Sequence, residues 1–201
     1  IQGNISNISE QITEKLTAAG YEIFFADKIA TPDIISEKDK KCGFHTGLII
    51  FSSDEYVNNL TSFGNKYLAA AFLKIGLFEN PDGIQILIAD PETVNRIIFN
   101  DLPEEKYNQI IVYSKNVKEK IIDLLHSLPV GKKVIEIGSP IRSDKALRKG
   151  AKDMMMMVGP MTFFKDKNQI KTIFSAENKS GKSGLNRLKS RIEENIRNFE
   201  P

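Results

Sequence analysis

Apolar positions along the chain fall into short periodic runs divided by turn-forming residues. Ile8, Ile12 and Leu16 recur at helical spacing behind Asn7-Ile8-Ser9-Glu10, which has the spacing of a capping box, and Gly20 follows where a left-handed C-cap sits. The pattern predicts a helix over 9–19. Residues 21–25 and 47–51 are β-prone apolar runs, and the polar stretch 31–41 between them reads as a long loop. Ser53-Asp54-Glu55 opens a helical stretch that runs towards Ala71 and breaks near Gly64. Runs 73–79 and 84–89 flank Asn80-Pro81-Asp82-Gly83, where Pro suits the second turn position and Asp-Gly tolerates positive φ, so they form a β-hairpin. Asp90-Pro91-Glu92 then caps a helix through Phe99 with Pro at its first position.

The second half repeats this grammar. Residues 109–113 read as a strand, and Asn116-Val117-Lys118-Glu119 opens a helix that turns Val117, Ile121, Leu124, Leu125 and Leu128 inward before Pro129 stops it. A strand over 133–138, a short basic helix over 143–152 and a second hairpin of 154–164 with 169–174 follow. The two hairpins correspond position by position, Ile84, Leu87 and Ile88 matching Ile170, Ile173 and Phe174, and we read them as a diverged internal duplication. After a polar, glycine-bearing linker, Leu185, Leu188, Ile192, Ile196 and Phe199 draw a narrow apolar stripe on a charged helix. We expect that stripe to dock on the protein's own sheet in preference to packing between subunits. The expected fold class is α/β of the α+β kind, with two lobes that each hold a small mixed or antiparallel sheet, a hairpin and packed helices. The boundaries are 1–101 for the first lobe, 102–178 for the second and 179–201 for linker and terminal helix.

Composition narrows this picture. The 201 residues are 41% hydrophobic, enough for a substantial core, and the single cysteine, Cys42, excludes an intramolecular disulfide. No apolar run approaches the roughly 20 residues of a membrane-spanning helix. These features favour a cytoplasmic protein, while a chain beginning at Ile1 leaves export open. Charge is divided: residues 1–141 carry 14 basic and 19 acidic side chains, whereas 142–201 carry 14 and 7. Such polarity fits two halves that attract each other within or between subunits, or an anionic partner for the basic end.

Ala19-Gly20-Tyr21 through Asn65-Lys66-Tyr67-Leu68, then residues 73–79, Pro81-Asp82-Gly83 and 84–89 followed by Asp90-Pro91-Glu92, set out a helix ending in glycine and an aromatic, two strands, a helix, and a hairpin followed by an Asp-Pro pair. Over about residues 5–95 this order resembles the family called domain of unknown function 302. The resemblance implies a small α/β domain whose helices pack on one antiparallel or mixed sheet, which self-associates, and for which no reaction is established. The insertion over 31–41 and the second half depart from that pattern.

Candidate chemistry is sparse. Cys42 and His45 stand three apart before a strand and could serve as nucleophile and base or as two metal ligands, but two ligands do not close a site. His126 near a helix C-terminus reads as a cap. Gly181-Lys182-Ser183 matches only the end of a phosphate loop, with Ala176 where its first glycine belongs. Ser139, Arg142, Ser143, Arg148 and Lys149 gather where a strand meets a helix, a place for a small anion. Met154, Met155, Met156 and Met157 alternate along a strand as core filler. Aromatics are not interleaved with the C-terminal Lys and Arg, and Trp is absent, which argues against nucleic acid. The reading that results is a non-catalytic α/β module for ligand or protein interaction, a homo-oligomer, with no cofactor or metal. Its alternatives are an enzyme or metal/redox protein built on Cys42 and His45, and an anion or nucleic-acid binder in the basic C-terminal third.

Overall fold

A computed structural model describes residues 4–29, 45–80, 83–129, 143, 145–146 and 181–198. They belong to two units, Ile1–Phe164 and Lys165–Pro201. Helix α1 (Ile5–Ala18) begins four residues before the expected start. Asn4, not Asn7, is the cap, and its side chain accepts from the Ser6 amide at 2.8 Å. This extension lets Ile5 join Ile8, Ile12 and Leu16 on one buried face. Gly20, at φ +86°, ends the helix as expected. The Tyr21 amide reaches back to the Leu16 carbonyl and the Gly20 amide to that of Thr17, each at 3.0 Å, the paired bonds of a Schellman motif.

Four strands, β1 (Glu22–Ile29), β2 (Thr46–Ser52), β3 (Leu73–Asn80) and β4 (Gly83–Ile88), form an antiparallel sheet in the order β1-β2-β3-β4. Between β2 and β3 lie α2 (Asp54–Thr61), capped by Ser53, and a 3-10 helix (Asn65–Ala70) that follows Gly64. Gly64 sits at φ +136°, which only glycine adopts without strain, so the break expected there is built into the backbone. Asn80 pairs with Gly83, and the expected hairpin is present. Helix α3 (Pro91–Ile98) starts as expected, Asp90 accepting from the Glu92 amide at 3.0 Å.

Past Asp101 the outcome differs from the sequence reading. Helix α4 runs without interruption from Glu104 to His126, so residues 109–113 are helical and the segment at Asn116 is not a helix start. Ile110 and Ile111 are buried while Val112, next to them, is 62% exposed, a helical spacing that a strand would not produce. Tyr107, Ile110, Val117, Ile121, Leu125 and Leu128 enter the same core cluster as Ile8, Ile12, Ile49, Ile75 and Leu77. Residues 109–113, expected as the strand opening the second lobe, are thus helical. The second hairpin, residues 154–174, and the strand 133–138 lie outside the described residues. At the end of the chain, helix α5 spans Gly181–Arg197.

Among the described residues, the helices of the core pack on one side of the sheet. Ile49, Phe51, Leu73, Ile75, Leu77 and Ile84 alternate towards the helices and are buried with Ile8, Ile12, Leu16 and Phe99. Among the described residues this is a two-layer α+β arrangement whose other sheet face lies open.

Candidate functional site

The open face presents the complementary set of strand positions. Its residues follow from the register: Phe25 opposes Ile50, Asp27 opposes Leu48 and Ile29 opposes Thr46, while Leu48 opposes Gly76, which in turn opposes Leu87. Sequence alternation on a sheet with one covered face normally leaves polar residues outward. Here the outward residues are Phe25, Ile29, Phe78 and Leu87, all exposed, with Leu48 and Ile50 half-buried between them. A β-bulge at Phe24 shifts the β1 register between Ile23 and Phe25. The Phe24 ring meets Phe72 edge-on at 5.5 Å, yet Phe72 remains 55% exposed and Leu87 53%. Phe78 folds across Gly76, whose missing Cβ would lie 2.9 Å from the Phe78 ring. The small residue thus lets an aromatic lie flat on the strand. Charge on this face is limited to Glu22 and Asp27 on β1 and Lys74 on β3.

Beneath the sheet, polar groups brace the helices. Asn95 is completely buried; its Nδ2 donates to Tyr56 Oη at 3.1 Å and Ser114 Oγ at 2.7 Å, and Ser114 Oγ donates to the Ile110 carbonyl at 2.6 Å. Asn95 Oδ1 has no hydrogen-bond partner among the described residues. Burial pushes the Tyr56 hydroxyl up to about 12. Burial, aided by the nearby Glu55 carboxylate, does the same to Tyr113, which stacks on Tyr56 with ring centroids 6.1 Å apart. Hydroxyls so reluctant to ionise are poor proton-transfer groups near neutrality. Glu92 accepts from Arg96 at 2.7 Å and from Lys118, tying α3 to α4. Burial alone would raise its carboxyl, but those two cations outweigh burial and hold it below the usual range. Asp101 receives Lys66 Nζ at 2.6 Å and Tyr67 Oη at 2.9 Å, and Tyr67 stacks on Phe99 at 4.1 Å. Asp101 is likewise held low because these donors outweigh its burial.

Most of the expected chemical residues lie outside the described ones. His45 is exposed just before β2, its carbonyl accepting the Glu79 amide at 3.0 Å, and Cys42 lies outside the described residues. Ser143 Oγ stands 3.4 Å from the Ala146 amide, a capping position, while Ser139, Arg142, Arg148 and Lys149 lie outside, as do Met154, Met155, Met156 and Met157. His126 closes α4. No cluster of three metal-ligating side chains exists among the described residues. The sequence did contain a signal for the open face: apolar residues on both parities of 48–51, with Phe at 24, 25, 72 and 78, exceed what a one-sided sheet needs.

Fold and surface define an α+β protein with a four-stranded antiparallel meander, helices on one side and an apolar face on the other. No family model and no curated protein matches the chain. Among solved structures it is similar to the crystal structure of an uncharacterized conserved protein, DUF302, from Bacillus stearothermophilus. The identity is 9% and the TM-score 0.49, over 63% of this chain and 91% of that one.

Proposed function

We propose that this protein is a non-catalytic interaction module that associates with a second copy of itself through the open sheet face. The observation that supports this reading is the exposure of Phe25, Ile29, Phe78 and Leu87 on the outward face of the sheet, with Phe72 exposed beside Phe24. Four strands at about 4.8 Å spacing and a rise near 3.4 Å per residue give a face of roughly 450 Å². Its apolar side chains are interspersed with Asp27, Thr46, Lys74 and Gln85, and exposed apolar surface rimmed by polar residues marks interaction sites. A second copy suits it for two reasons. Two sheets stack face to face about 10 Å apart with their outward side chains interdigitating, and two-fold symmetry lets one patch serve both partners. The face also carries both signs of charge, Asp27 on β1 and Lys74 on β3, so a two-fold operation can set each against its opposite. The exposed edge strand β1 carries Glu22, Asp27 and Lys28, charges that discourage edge-to-edge pairing.

Sedimentation equilibrium tests the proposal on the full chain. Wild type should form a dimer, and the double variant Phe25→Asp, Leu87→Asp should weaken it at least about 100-fold, since each copy then buries two unpaired carboxylates. A wild type that stays monomeric at high concentration, or a folded double variant of unchanged mass, would sink the reading.

A further inference from the structure

Helix α5 carries a second apolar surface, independent of the sheet. Leu185 is 55% exposed and Ile192 49%, and Leu188 is exposed beside them. At about 100° per residue, Leu188, Ile192 and Leu185 fall within roughly 60° of one another. That stripe is narrower than the arc of about 100° or more by which a helix normally joins a protein core. Its borders are basic on both sides. Lys189 and then Lys182 flank it beyond Leu185, and Arg191 flanks it beyond Leu188, alongside the uncharged Gly184 and Asn195. The carboxylates stand farther round, Glu193 past Lys182 and Glu194 nearly opposite the stripe.

This distribution discriminates between occupants. Pairing two copies of α5 along the stripe would bring together two helices that each carry Lys182, Arg187, Lys189, Arg191 and Arg197 against only Glu193 and Glu194, an excess of positive charge that the pair does not neutralise. An apolar surface bordered by anionic groups on both sides satisfies the whole arrangement, because Lys and Arg bury their stems beside the stripe while their charges reach outward. We propose that α5 docks on an anionic lipid surface, with Leu185, Leu188 and Ile192 at the acyl boundary and Lys182, Lys189 and Arg191 among the headgroups. The contact is peripheral: no described helix is long and apolar enough to cross a membrane.

Co-sedimentation of the full chain with vesicles tests this, using phosphatidylcholine alone and phosphatidylcholine with about one-third phosphatidylserine. Wild type should bind the anionic vesicles at least about tenfold more tightly than the neutral ones and release in high salt. Leu188→Glu with Ile192→Glu should abolish binding, and Lys189→Glu with Arg191→Glu should weaken it at least about tenfold. The substituted side chains are exposed, so unchanged far-ultraviolet circular dichroism will verify folding. The proposal fails if wild type ignores anionic vesicles or if the Leu188/Ile192 variant binds as wild type does. It fails equally if that variant loses mass in lipid-free velocity sedimentation, because the stripe would then belong to a second copy. The Phe25/Leu87 variant should retain vesicle binding, which separates this surface from the sheet face.

Discussion

Asn95 offers a sharp test of how the helical layer is held. It is wholly buried, donates twice through Nδ2, and leaves Oδ1 without a partner among the described residues. Replacing it with leucine keeps the branched skeleton in a somewhat bulkier form and removes two hydrogen bonds worth about 1 kcal/mol each. It also removes a buried acceptor that has no donor, which returns part of the loss, so the net cost should be about 1–2 kcal/mol. Alanine removes the same bonds and opens a cavity between α3 and α4, raising the cost to about 3–4 kcal/mol. Aspartate places a carboxylate where no cation is within hydrogen-bonding distance. Burial should raise its folded pKa above the unfolded value, so relative to wild type this variant should lose stability as pH rises from about 4 through the raised folded value. Urea unfolding followed by circular dichroism reads all three. Leucine costing more than alanine, or aspartate gaining stability relative to wild type from pH 4 towards neutrality, would refute this account of the network.

Acid should unfold the protein in a way that involves Glu92 and Asp101. Both carboxyls are held low by Lys118 and Arg96, or by Lys66 and Tyr67, against burial that would raise them. A depressed folded pKa gives stability that is present above the unfolded value and is lost as pH falls through the folded one, so Glu92→Gln should flatten the decline in unfolding free energy below about pH 4.5. Tyrosinate absorbance supplies the remaining prediction. Of five tyrosines, Tyr56, Tyr67 and Tyr113 are pushed up to about 12, mainly by burial, so these three should ionise only near that pH or on unfolding. A native titration in which all five ionise together near pH 10 would contradict their burial.

Much of the first hundred residues was legible because local chemistry and tertiary context agree there. Gly20, Gly64, Asn80-Pro81-Asp82-Gly83 and Asp90-Pro91 act over a few bonds, through φ preference, a missing donor or a side-chain cap, and the elements they delimit are those observed. The error at 109–113 has the opposite cause. Ile110-Ile111-Val112-Tyr113 is β-branched and aromatic and reads as a strand, yet it lies between two helical turns whose apolar positions continue one buried stripe from Tyr107 to Leu125. Packing against α3 overrides a propensity worth only tenths of a kcal/mol per residue.

The candidate surface was legible only in part. Phenylalanines at 24, 25, 72 and 78 are visible in the sequence, but their sum as one face depends on the bulge at Phe24 and on which strands adjoin, relations between residues up to about sixty positions apart. By itself the sequence determined the breaks at Gly20, Gly64, Asn80-Pro81-Asp82-Gly83 and Asp90-Pro91, because such turns and caps are local. Which face of the sheet received the helices, that α4 joined the first core, and that an apolar face stayed open were decided by tertiary structure. Burial on one side of a sheet is set by what packs there, and no local pattern encodes that.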